Sequence, residues 1–100
     1  MTTRTIITHT IEWHGVLLVV RHRADYLRPG SSHIEVYVVR PKRATIPITE
    51  TGYRSHFIDA RELTQAGGPV AFVVAWLDAE AKSKEWQKRE FERRQGDLFA

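Results

Sequence analysis

Residues 48–57, Ile-Thr-Glu-Thr-Gly-Tyr-Arg-Ser-His-Phe, bring a carboxylate, a phenol, a guanidinium and an imidazole into one short segment. Arg54 offers a rigid fork of donors and Tyr53 a flat stacking face. Glu50, Tyr53, Arg54 and His56 could therefore form a pocket for an anion or a base. The competing reading makes Thr51-Gly52 a turn, sends Tyr53 and Phe57 into the core and leaves the polar side chains to cap or solvate.

Other catalytic chemistries find less support. Ser55 precedes His56, but adjacency in sequence does not make triad geometry, and there is no Gly-x-Ser-x-Gly elbow. The five histidines come without any cysteine and without a His-x-x-x-His pair. His9 and His22 could be neighbours on one strand face, yet no third ligand is evident, so no metal site is expected. No catalytic residue and no cofactor are assigned, and the chain is read as non-enzymatic.

Charge points to a second binding chemistry. The net charge is +3. Residues 1–49 hold seven Lys or Arg against three acids, and residues 50–100 hold eight against nine. Arg21, Arg23, Arg40, Lys42 and Arg43 make a basic rim that could contact nucleic acid, with Tyr37 or Tyr26 as a stacking surface. Solubility alone is the alternative account of the same residues.

The elements that must hold these groups can be read from periodicity. Residues 6–13 and 16–23 are rich in Ile, Val and Thr and flank His14-Gly15, a hairpin signal. A two-residue loop pairs Trp13 with Val16 and Ile11 with Leu18. It places Ile7, His9, Ile11 and Trp13 on one face with Val16, Leu18, Val20 and His22. A three-residue loop with a bulge would exchange the faces of one strand.

Arg28-Pro29-Gly30-Ser31 is a turn. Residues 32–40 then alternate Ile34, Val36 and Val38 against Glu35, Tyr37 and Val39, and Pro41 ends the strand. Residues 44–49 contain Pro47 and are expected as a short edge strand or an extended segment. Residues 53–58 are expected as a last short strand. Asp59 with Glu62 opens a short helix over residues 60–66, closed by Gly67.

Gly68-Pro69 opens a long helix expected to run to about residue 94, with Val73, Val74, Leu77 and Ala81 facing the sheet. Its second half is expected to be solvated, supported by Asp78–Lys82, Glu80–Lys84, Glu85–Arg89 and Glu90–Arg94 pairs. Such a helix would be about 39 Å long and would overhang a body of this size. The fold class is α+β: an antiparallel sheet of three to five strands packed on a long C-terminal helix, with a short preceding helix. One domain occupies residues 1–94, and residues 95–100 form a tail.

That tail reads Gln95-Gly96-Asp97-Leu98-Phe99-Ala100. It resembles the peptide by which bacterial replication and repair proteins hold the sliding clamp of DNA polymerase, departing from the common form only at Gly96. The resemblance implies that Gln95 makes amide hydrogen bonds while Leu98 and Phe99 fill an apolar pocket, with Asp97 between. It covers the tail alone. The alternative is that Gly96 stops the helix and Leu98 and Phe99 fold back.

The segment around residues 48–57 resembles a stretch of small alphaproteobacterial and phage proteins, which supplies no activity. The expected protein is thus a cytoplasmic accessory protein with no membrane span, docking on the clamp through its tail. A small ligand-binding domain or enzyme built on residues 49–56 is one alternative. A homodimeric interaction module with Trp86 and Phe91 between subunits is another. Monomer and homodimer both stay open.

Overall fold

The computed structural model describes residues 6–99 of the chain, the side chains of residues 96–99 excepted. Four strands, β1 (Ile6–Trp13), β2 (Val16–Arg23), β3 (Ser31–Arg40) and β4 (Tyr53–Asp59), form one antiparallel sheet in the order β1-β2-β3-β4. Three helices follow, α1 (Ala60–Gln65), α2 (Pro69–Ala81) and α3 (Lys84–Phe99). The architecture is α+β.

The first hairpin adopts the two-residue loop. His14 and Gly15 both take positive φ, 47° and 81°, as a twist-matched turn requires. Trp13 pairs with Val16 and Ile11 with Leu18. Because side chains alternate, this register sends Leu18 and Val20 of β2 and Ile34 and Val36 of β3 to one face, where all four are fully buried. Val73 and Leu77 of α2, Leu63 of α1 and Ile58 of β4 complete that core. Trp13 closes its end, its indole N–H donating to Asp78 of α2 at 2.9 Å.

Residues 44–49 do more than run along an edge. Ile46 and Ile48 are core residues, Ile46 with no exposure at all, and the segment carries an isolated bridge between Ile46 and Thr49 while the Thr49 hydroxyl ties it to the Tyr53 carbonyl. Pro47 limits ladder pairing without preventing burial of its neighbours.

The expected single long helix is two helices. The chain leaves α2 at Lys82, and the Ser83 hydroxyl accepts the Trp86 N–H at 3.1 Å, starting α3 afresh. The physical reason is local: a serine side chain competes for main-chain donors and so favours a cap over a helix interior. Trp86 turns inward and is 6% exposed. The break also separates Glu80 from Lys84, and the ion pairs differ from those expected. Asp78 serves Trp13, Arg89 reaches Glu50 at 2.6 Å, and Glu90 holds Arg93 at 2.8 Å.

The backbone of α3 continues to Phe99, beyond the stop expected near residue 94. The molecule measures 58 × 24 × 19 Å with a radius of gyration of 15.4 Å, more than the ~13 Å of a compact domain of this length. Among the described residues no helix is long and apolar enough to cross a membrane.

Candidate functional site

Among the described residues the helices cover one face of the sheet. The opposite face presents Arg21 and Arg23 from β2, His33, Glu35 and Tyr37 from β3, and Tyr53, Ser55 and Phe57 from β4. A bulge adds one residue to β3: Leu18 pairs with Val38 but Leu17 pairs with Arg40. The extra residue, Val39, reverses the alternation and brings Arg40 to the face of Leu17, Val19 and Arg21.

Glu35 organises the centre. Tyr37 and Tyr53 are register partners, and both hydroxyls donate to Glu35 Oε2 at 2.9 Å. Their rings lie 5.0 Å apart at 50°. Arg23 Nη2 stands 4.0 Å from Glu35 Oε1. Burial alone pushes the Glu35 carboxyl up. The two tyrosine hydroxyls, with the charges of His33 and Arg21, outweigh that and leave it below its ordinary value. The same contact holds the Tyr53 hydroxyl above its ordinary value, because ionising it would set two anions side by side.

A second cluster lies alongside. Tyr26 stacks on His33 at 5.0 Å and on Phe57 at 6.1 Å, and the Arg23 guanidinium sits 5.2 Å from the Tyr26 ring centre. His33 Nε2 is 2.6 Å from the Ser55 hydroxyl. Serine–histidine catalysis needs the other ring nitrogen to be held by an acceptor. His33 Nδ1 is buried without a partner among the described residues, so the pair lacks that orienting group.

The structure separates the polar residues of the 48–57 segment. Tyr53 lies on the open face. Arg54 and His56 lie on the helix-covered face, Arg54 5.3 Å over the Trp76 ring and His56 4.8 Å from Trp76 and 5.6 Å from Phe72. Burial, then the neighbouring Arg54 charge, holds His56 below its ordinary value. Glu50 sits in the β3–β4 connection bound to Arg89, while the Thr49 and Thr51 hydroxyls donate to the Tyr53 carbonyl at 2.8 and 3.2 Å. Period two dictates this division: Tyr53 and Ser55 point one way, Arg54 and His56 the other.

The basic residues are grouped more closely. Arg21 pairs with Glu35 and Arg23 with His33 across β2 and β3, and Arg40, Lys42 and Arg43 are exposed where β3 ends. Gln95 is exposed on α3, and the side chains of Asp97, Leu98 and Phe99 lie outside the described residues. Sequence reasoning passed over Glu35, His33, Ser55 and Phe57 as site residues. The available signal was a carboxylate between Ile34 and Val36 in the middle of a strand, a placement that calls for partners if it is buried.

A family model described as KlcB third domain matches residues 6–86, which take in the whole sheet, α1, α2 and the first turn of α3. No curated protein and no solved structure matches the chain.

Proposed function

The chain belongs to the KlcB third-domain family, and from that premise we propose that it is a small non-enzymatic accessory module whose open sheet face binds single-stranded nucleic acid. One observation carries the reading: Tyr37 and Tyr53 are fixed by Glu35, whose β2 partner is Arg21 and whose other oxygen faces Arg23, on a face that no helix covers among the described residues. Unpaired bases stack on aromatic rings without regard to sequence, at about 1–3 kcal/mol per base, while arginines take the phosphates. Phe57, 49% exposed, offers a further ring. Arg40, Lys42 and Arg43 extend the positive path beyond the end of β3. A duplex keeps its base faces stacked and gains nothing from such rings.

Fluorescence anisotropy with labelled single-stranded DNA, single-stranded RNA and duplex DNA tests this. Tighter binding of single strands, weakened by Phe57→Ala, is the expected result. No binding at low salt, or equal affinity for duplex, contradicts it.

The tail supports a second, separable element, docking on the DNA polymerase sliding clamp through Gln95, Asp97, Leu98 and Phe99. This segment lies beyond residue 86, where the family match ends, on a helix that projects from the body. Extended docking requires the last turn of α3 to unwind. Gly96 lowers that cost, since glycine disfavours a helix interior by about 1 kcal/mol relative to alanine. Titration onto purified clamp should show binding that the double change Leu98→Ala, Phe99→Ala abolishes, and unchanged binding or none contradicts the assignment.

A further inference from the structure

The two edges of the sheet are finished differently. At β4 the Tyr53 carbonyl is already taken by the Thr49 and Thr51 hydroxyls, Arg54 places a charge within the strand, and the chain passes straight into α1. Those are the devices by which sheets blunt an edge. Among the described residues β1 carries only the Glu12 charge, one residue from its end. Its eight residues, Ile-Ile-Thr-His-Thr-Ile-Glu-Trp, contain no proline, lysine or arginine, and the β1–β2 register is unbroken from Ile6 to Trp13. Among the described residues no element covers its outer side. Ile6 and Ile7 are 42% and 48% exposed. Outward main-chain groups on such a strand are a template for another strand.

We propose that β1 pairs antiparallel with β1 of a second copy of this chain, making a continuous eight-stranded sheet. The strand is self-complementary. A two-fold axis perpendicular to the sheet keeps both open faces on one side and sets odd residues opposite odd, even opposite even. With His9 on the axis, His9 meets its own copy, Ile7 meets the second copy's Ile11 twice, Thr8 meets Thr10 twice and Ile6 meets Glu12, so no carboxylate opposes a carboxylate and no Lys or Arg opposes another. β-Branched and threonine pairs of this kind are favourable across strands. The two open faces then join into one platform, and the inference stands whether or not that platform binds nucleic acid.

Light scattering coupled to gel filtration reads the mass. The wild-type chain should approach twice its 11.6 kDa as concentration rises into the high micromolar range. Ile7→Lys, at an exposed position, should return it to the single-chain mass with the far-UV spectrum unchanged.

Because the chain contains no cysteine, His9→Cys gives an independent reading of register. Facing residues of antiparallel strands fall within disulfide reach, so mild oxidation should give a covalent dimer from His9→Cys and little from Thr8→Cys. A single-chain mass at every concentration overturns the proposal. So does a doubled mass that Ile7→Lys leaves intact, or a His9→Cys chain that dimerises without cross-linking.

Discussion

Tyr37 and Tyr53 face each other across β3 and β4, and their hydroxyls converge on a single oxygen of Glu35. The arrangement removes the rotational freedom of two phenol rings and gives a largely covered carboxylate its partners. The rings are therefore presented in fixed positions on an uncovered face, so their binding contribution is not spent on ordering them.

Glu35 gives the pH prediction. Its folded-state carboxyl lies below its ordinary value, so its contribution to stability is complete above the unfolded pKa and is lost as pH falls through the folded one. Thermal melts of wild type and Glu35→Gln should differ most near neutrality, with the wild type higher, and converge in acid. A gap that persists or widens in acid contradicts this assignment.

The Trp13–Asp78 hydrogen bond ties the hairpin to α2 at 2.9 Å. Asp78→Ala leaves a largely buried indole N–H without its acceptor, at a cost of about 1–2 kcal/mol. For a chain of this size Tm should fall by roughly 4–8 °C per kcal/mol, measured by calorimetry.

Ile46 has no exposed surface, although it sits in the connection between β3 and β4. Ile46→Ala should cost about 2–5 kcal/mol by urea unfolding, as a core truncation does. Thr45→Ala next to it, at an exposed position, should stay within about 0.5 kcal/mol of wild type.

Ser83 separates α2 from α3 by capping the latter. Ser83→Ala should cost about 0.5–2 kcal/mol, read as a lower urea midpoint.

These positions also show what the sequence made legible. His14-Gly15 between two segments rich in Ile, Val and Thr marked the first hairpin, because that signal is local, while its register stood between two loop lengths until the positive φ of His14 and Gly15 and the Trp13–Val16 pairing fixed the two-residue turn. The short helix after Asp59 was equally local, and the Asp59 carboxylate accepts the Arg61 N–H at 2.8 Å. Burial of Ile46 was not legible, since Pro47 marks a break in ladder pairing and says nothing about where flanking side chains go. The division of the helices at Ser83 was obscured because acid-before-base pairs at i,i+4 spacing, Asp78 with Lys82 and Glu80 with Lys84, run up to and across it. The open-face cluster depended on cross-strand register: Glu35 is two residues from Tyr37 but eighteen from Tyr53. Ser55 shows the same limit, for its partner is His33 across the ladder rather than the adjacent His56.

The claim that the open face is a stacking platform is tested most directly at Tyr53, by titrating labelled single-stranded DNA with wild type, Tyr53→Ala and Tyr53→Phe. The account predicts that Tyr53→Ala weakens binding about 5- to 100-fold, the equivalent of ~1–3 kcal/mol for one lost base stack, while Tyr53→Phe, which keeps the ring, retains most of the affinity. Equal affinity for all three proteins would contradict it.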